Sequence, residues 1–123
     1  MDLKKSSGLK AEKLAAKFLR KKGYRILEER CQTRFGEIDL ICRKGKELVF
    51  VEVRSVASDS GVRPEETINS RKINHIVKSA KSWILKKGLN NLNIRFDVIT
   101  IDLSSGTPLI NHYQEAFETG IDL

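Results

Sequence analysis

Residues 36 to 54 read GEIDLICRKGKELVFVEVR: two apolar runs, Glu37 to Arg43 and Leu48 to Arg54, joined by Lys44-Gly45-Lys46. Such a stretch folds as a β-hairpin. Branched and aromatic residues fill the runs, and Gly45 permits the positive φ of a tight turn. The hairpin nevertheless carries Glu37, Asp39 and Glu52 inside strands that otherwise want burial, and it ends on Arg54. Strand side chains alternate between faces. Glu37 and Asp39 therefore share a face with Ile41, against Ile38, Leu40 and Cys42; Leu48, Phe50, Glu52 and Arg54 lie opposite Val49, Val51 and Val53. Antiparallel pairing about the turn brings Asp39 opposite Glu52 or one step from it, and cross-strand neighbours on one face sit about 5 Å apart.

The remaining elements follow from period and punctuation. Ser6 or Ser7 can cap a helix that runs to about Lys22 and stops at Gly23. Its apolar stripe is Ala11, Leu14, Ala15, Phe18 and Leu19, with Lys10, Lys13, Lys17 and Arg20 opposite. Glu12 departs from that division, because at about 100° per residue it projects at the border of the stripe; a Glu there can also reach out to solvent. Tyr24 to Cys31 reads as a strand, and Ser55 to Arg63 as a polar loop. A second helix is predicted from Pro64 or Glu65 to Lys87, closed by Gly88, with Ile73, Ile76, Val77, Ala80, Trp83 and Ile84 on one face. Asn93 to Leu103 and Leu109 to Tyr113 are strands, and Gln114 to Phe117 a short helical end.

The order αβββαββ predicts an α/β fold with a mixed central sheet. Whether the helices cover one face of the sheet or both stays open. The 123 residues are enough for one domain, 1–123, with 1–6 and 118–123 as loose ends. Hydrophobic content of 40% and charged content of 32% exclude a disordered tail. Cys31 and Cys42 form no disulfide framework and no zinc ribbon. With no apolar leader and no stretch of membrane-spanning length, no membrane partner and a cytoplasmic home are expected.

Two carboxylates about 5 Å apart repel, and each raises the pKa of the other unless a positive charge lies between them. A hard divalent cation, Mg²⁺ or Mn²⁺, suits an all-oxygen site, whereas His75 and His112 are too isolated in sequence to favour zinc. An ion held by Asp39 and Glu52 on a chain of net charge +7 points to phosphodiester hydrolysis. A salt-bridged hairpin face, with Arg54 pairing Asp39 or Glu52, explains the same residues without catalysis.

The blocks GLKAEKLAAKFLRKKGYRIL, FGEIDLI, VFVEVR, RKINHIVKSA and RFDVITI, in that order, resemble the YraN-like family of small bacterial proteins over about Gly8 to Phe117. That family is similar to the restriction-endonuclease-like PD-(D/E)XK superfamily, and within it to Holliday-junction resolvases. The resemblance implies a restriction-endonuclease-like α/β/α core. It matches Asp39 and Glu52 to the motif carboxylates and Glu12 to a carboxylate from the first helix, these three at one Mg²⁺ or Mn²⁺. Glu37 matches the Glu of the GEID block, Lys72 a lysine at the start of the second helix, and Asp97 an Asp with a structural role. Pairing of resolvase-like relatives implies a possible homodimer. Arg54 stands where lysine is usual. It remains protonated at any working pH, so it can hold a phosphate but cannot act as a base.

Basic residues gather on the first helix, at the hairpin tip (Arg43, Lys44, Lys46), and near the second helix (Arg63, Arg71, Lys72). They fit backbone contacts to nucleic acid, DNA above all. Phe35 is the aromatic residue placed to touch a base, or else to join the core. Three readings result. The first is a metal-dependent endonuclease acting on DNA, with branched or flapped substrates implied by analogy. The second is a nucleic-acid-binding module that kept the fold and lost turnover through Arg54. The third is an interaction protein that meets an acidic partner.

Overall fold

A computed structural model describes residues 3–56, 68–89 and 91–117. Helix α1 is Leu3–Lys21; β1 is Arg25–Thr33, β2 Gly36–Lys44 and β3 Glu47–Ser55. Helix α2 is Ser70–Lys87, β4 is Asn93–Asp102 and β5 Leu109–Tyr113. The order αβββαββ is as predicted. Helix α1 starts at Leu3, so Ser6 and Ser7 lie inside it and do not cap it; Leu3, Lys4 and Lys5 are good helix formers and extend the helix backwards. Helix α2 starts later than the periodicity indicates. Its cap is Asn69, whose Oδ1 accepts the Lys72 N–H at 2.8 Å. The predicted start at Pro64 or Glu65 falls outside the described residues, as does Arg63. Gly88, with φ 65°, ends α2 in the left-handed conformation and donates its N–H to the Ile84 carbonyl at 2.9 Å. Gln114 to Phe117 is a turn and not a helix. Glu115 takes φ 49° and gives its N–H to the Asp97 carboxylate at 3.1 Å, which an α-helical path would not allow.

The five strands lie in sequence order, β1-β2-β3-β4-β5. All pairs are antiparallel except β3 with β4, which run parallel and are joined through α2. The sheet is covered on both faces, which settles the choice that the sequence left open. On one face Leu40, Cys42, Val49, Val51, Ile99 and Ile101 pack against Ala11, Ala15, Ala16 and Leu19 of α1. On the other Ile41, Leu48, Phe50 and Phe96 pack against Ile76, Ala80, Trp83 and Ile84 of α2. Trp83 meets Phe50 edge-on at 5.9 Å, and its Nε1 donates to Glu28 at 2.9 Å, so its polar atom is satisfied.

Strict alternation fails at one point of β2. Ile38 packs with Ile41 on the α2 side, where a regular strand would put it with Leu40. The irregularity sits at Asp39. Across from it on β1, between the pairs Glu29↔Leu40 and Cys31↔Ile38, Arg30 has φ 53°. A left-handed non-glycine residue is uncommon in a strand. It re-aims the side chains around it and so positions the site.

Candidate metal centre

The β2–β3 ladder runs from Lys44↔Glu47 to Leu40↔Val51. One step further, Asp39 and Glu52 would face each other. Instead the Asp39 carboxylate turns to β3 and accepts the Val53 N–H at 2.8 Å. A side chain thus takes the place of a backbone acceptor where the two strands part. Burial pushes the Asp39 carboxyl above the ordinary carboxylate range, against the opposing pull of that N–H and of Lys72.

Carboxylate oxygens of Glu12, Glu37 and Asp39 all lie within 4.8 Å of one another. Glu12 comes from α1, whose buried stripe of Ala11, Ala15 and Leu19 fixes that face of the helix on the sheet. Its side chain is 16% exposed and does not reach out to solvent. One of its oxygens, Oε2, is buried without a hydrogen-bond partner. Burial first, and the Asp39 charge second, push the Glu12 carboxyl up to about 7. Glu37 is held by the Gln32 amide, its partner across β1. At the start of β2, Gly36 takes φ 138°, open to glycine alone, and comes against His75 of α2.

Glu52 lies beside this triad on the α2 side of the sheet and is 6% exposed. Its Oε1 is 3.8 Å from the Lys72 ammonium and 3.6 Å from Arg54 Nε. Those are ion-pair distances longer than a hydrogen bond. Its carboxyl is pushed up to about 7 by burial first and by the Asp39 charge second. Arg54 Nε is buried and makes no hydrogen bond. Lys72 therefore reaches the sheet, and it is Lys87 whose ammonium lies over Trp83, at 6.0 Å.

The structure brings together Glu12, Glu37 and Asp39, and sets Glu52, Arg54 and Lys72 next to them. Arg71 shares the first turn of α2 with Lys72. Arg43, Lys44 and Lys46 lie at the far end of the hairpin, five residues along β2 from Asp39 in the case of Lys44, or about 16 Å at a strand's rise. There Arg43 Nε donates to the Gly45 carbonyl at 3.1 Å and the Lys44 ammonium sits 4.9 Å over the Tyr24 ring. Asp97 lies within the core, bound by Arg95 Nε and Nη2 at 2.9 Å each and by His112 at 2.7 Å, which is the structural role expected of it.

Arg30 was missed by sequence reasoning. Its Nε is 3.5 Å from Glu12 and 3.7 Å from Glu37. It is the described cation nearest the triad. Nothing in the string LEERCQT marks it, because its position depends on a backbone torsion that only the folded strand reveals.

The resemblance read from the sequence blocks meets comparisons with known proteins. The profile of the uncharacterised protein family UPF0102 matches residues 11–101, which include Glu12, Glu37, Asp39, Glu52, Arg54 and Lys72. The chain belongs to UPF0102. Among UPF0102 relatives, one from Anaeromyxobacter dehalogenans is 42% identical over 117 residues, covering 95% of this chain and 87% of its own length. One from Syntrophomonas wolfei is 44% identical over 110 residues, 89% of this chain and 96% of the relative. One from Thermotoga neapolitana reaches 50% over 91 residues, covering 74% and 82%. UPF0102 is the YraN-like family that the sequence blocks resemble, and the α/β fold is consistent with the nuclease superfamily. Among the described residues of this UPF0102 chain, no helix is long and apolar enough to cross a membrane.

The raised carboxyls give a pH dependence of stability with a definite sign. Between about 4.5 and about 7 the folded chain retains protons on Glu12 and Glu52 that the unfolded chain has released. Stability therefore falls as pH rises through that window and levels off above it. Urea unfolding of the metal-free protein is expected to need less denaturant at a pH of about 8 than of about 5.5. Glu52→Gln, which cannot ionise, is expected to shrink the difference; an unchanged difference would show that Glu52 ionises freely.

Proposed function

We propose that this chain is a divalent-metal-dependent endonuclease that cleaves phosphodiesters in DNA. The observation that carries the reading is the convergence of Glu12, Glu37 and Asp39 within 4.8 Å, with Glu52 and its two cations alongside. The donors fit a hard ion such as Mg²⁺ or Mn²⁺: all are oxygens, and Glu12 Oε2 is buried without a hydrogen-bond partner, 3.5 Å from Arg30 Nε. Glu12, Glu37 and Asp39 would hold it, with Glu52 beside them between Arg54 and Lys72. When bound, such an ion supplies Lewis acidity toward a phosphoryl oxygen and lowers the pKa of water.

The chain's own residues do the rest. Asp39 is fixed by the Val53 N–H, so one of its oxygens keeps its direction. Lys72 and Arg54 place positive charge on the α2 side of Glu52, where a scissile phosphate would meet it. Arg54, a guanidinium with donors alone, serves to bind a phosphate and not as a base. Incubation with branched, flapped and linear DNA in Mn²⁺ tests the reading. Cleavage is expected; an absence of cleavage on all three, or cleavage that persists in Glu52→Ala, refutes it.

A second reading, a nucleic-acid-binding module without turnover, is favoured by one observation. Arg54 Nε is buried and unbonded beside Glu52, where a lysine ammonium could turn toward a water. Calorimetry separates the two, because tight DNA binding with no heat from Mn²⁺ supports the module. Arg54→Lys is expected to raise cleavage about tenfold or more if proton transfer limits turnover, within the range typical of general-base catalysis. No gain would place Arg54 in charge stabilisation.

Arg30 acts on the same site as an internal counter-cation. It lies over Glu12 and Glu37, and a bound ion has to compete with it. Arg30→Asn retains a residue type that accepts left-handed φ, and a partly exposed ion pair contributes about 0.2–1 kcal/mol. Mn²⁺ affinity by calorimetry is therefore expected to tighten about 2- to 5-fold in the variant. Unchanged affinity would mean that Arg30 makes no claim on the carboxylates.

A further inference from the structure

Away from the carboxylates, the C-terminal half of α2 carries the most exposed large apolar side chain among the described residues, Leu85, at 78%. Two hollows meet at it. One, of about 500 Å³, is walled by Leu48, Ile84, Leu89, Leu92 and Ile94, with Asn91 as the polar side chain among its described lining residues. The other, of about 290 Å³, has Phe35 and Leu85 as its apolar part and Arg34, Lys78 and Lys81 around it. Phe35 is thus no core residue; it lies half-buried under the Arg34 guanidinium, 4.7 Å from its ring centre. The β1–β2 turn that carries it is tied to α2 by the Thr33–Ser79 hydrogen bond of 2.8 Å. Arg34, Lys78 and Lys81 form no salt bridge among the described residues.

We propose that this surface docks an acidic, amphipathic peptide segment of a partner protein, its leucine- or phenylalanine-type side chains entering the two hollows on either side of Leu85 and its carboxylates meeting Arg34, Lys78 and Lys81. The charge pattern selects the occupant. Three cations that form no salt bridge among the described residues rim one hollow, and a chain of net charge +7 attracts acidic segments at long range. Leu85 selects for a peptide: an aliphatic side chain 78% exposed is neither a cation for a phosphate nor an aromatic face for a base, whereas it packs against an apolar side chain. The surface is also separate from the catalytic candidates. Leu85 is 13 residues along α2 from Lys72, about 20 Å at a helix's rise, and Leu48 is the second residue of β3, four residues before Glu52.

The test uses a fluorescein-labelled helical peptide of about 12 residues, glutamate-rich, with leucines at i, i+3, i+4 and i+7. Its fluorescence anisotropy is read against the full chain, and amide NMR shifts locate the contact. Binding is expected, with shifts at Lys78 to Leu92 and none at Glu12, Asp39 or Glu52. Leu85→Glu, on an exposed position that leaves the fold intact, is expected to weaken binding about tenfold, and Lys78→Glu with Lys81→Glu to do the same, each equivalent to about 1.4 kcal/mol. Mn²⁺ affinity should remain as in the wild type, so loss of peptide binding is distinguishable from failure of the metal site. The proposal is overturned by any of four results: no binding of the peptide, equal binding of a control with serines for the leucines, displacement by single-stranded oligodeoxynucleotide at these same amides, or a wild-type dimer in sedimentation that Leu85→Glu dissociates.

Discussion

Asp39→Asn is expected to lower Mn²⁺-dependent DNA cleavage by about 100-fold or more, the scale on which loss of a metal-orienting or charge-stabilising group is felt. The substitution is chosen for its shape. An asparagine Oδ1 can still accept the Val53 N–H that Asp39 accepts at 2.8 Å, so the parting of β2 and β3 is kept while the charge goes. Thermal unfolding should consequently change little, or rise, because a buried carboxylate whose neighbours Glu12 and Glu52 repel it has been neutralised. A large fall in stability would show that Asp39 holds the hairpin and not an ion. Undiminished cleavage would remove the site from consideration altogether.

Asp97→Ala is expected to destabilise the fold by about 3–5 kcal/mol, as removal of one member of a buried charged network does. Asp97 is fully buried, at 0% exposure. Its carboxylate takes two hydrogen bonds from Arg95, one from His112 and one from the Glu115 N–H. Alanine would leave the Arg95 guanidinium with the Tyr24 hydroxyl alone and would release the turn after β5. Against a typical stability of about 5–15 kcal/mol, that is a large fraction. Replacing Arg95 and Asp97 together by apolar residues is expected to cost less than the single change. Equilibrium urea unfolding measures both. The network depresses the Asp97 carboxyl below its ordinary range despite burial. Its contribution is therefore complete above the unfolded-chain pKa and is lost as pH falls through the lower folded value. With the opposite trend of Glu12 and Glu52, stability is greatest in mildly acid solution.

The sequence exposed the fold most clearly where period and punctuation agreed. The hairpin about Lys44-Gly45-Lys46, the close of α2 at Gly88 and the strand Leu109–Tyr113 all coincide with local signals. Element ends that depend on tertiary partners were harder to read. Asn69 caps α2 from an extended backbone, φ -80° and ψ 168°, that the apolar period does not mark, and Gln114 to Phe117 is held in a turn by Asp97, 18 residues away from Glu115. The alternation rule misplaced Ile38 for a related reason. It assumes an undistorted strand, and here the neighbouring strand turns left-handed at Arg30, opposite Asp39. Within the candidate site, the carboxylates showed as charges where hydrophobic residues were due. That Glu37 would join Glu12 and Asp39, with Glu52 paired instead to Lys72 and Arg54, required the three-dimensional parting of β2 and β3. The hairpin-tip cations share the sign of charge with the site and not its location, a distinction that composition does not carry.

The same irregular β1 has a consequence for how copies of the chain keep apart. As an outer strand of the sheet, β1 exposes one row of backbone groups that a second strand could extend. Its register shifts between Ile26 and Glu28, and Arg30 turns left-handed. Arg25, Glu29 and Arg30 are exposed along it. The other outer strand, β5, is only five residues long. A kinked, charged border and a short one are poor templates for edge-to-edge growth. Among the described residues the sheet therefore ends in two borders that disfavour a further strand, and the twist that aims Arg30 at two carboxylates shapes one of them.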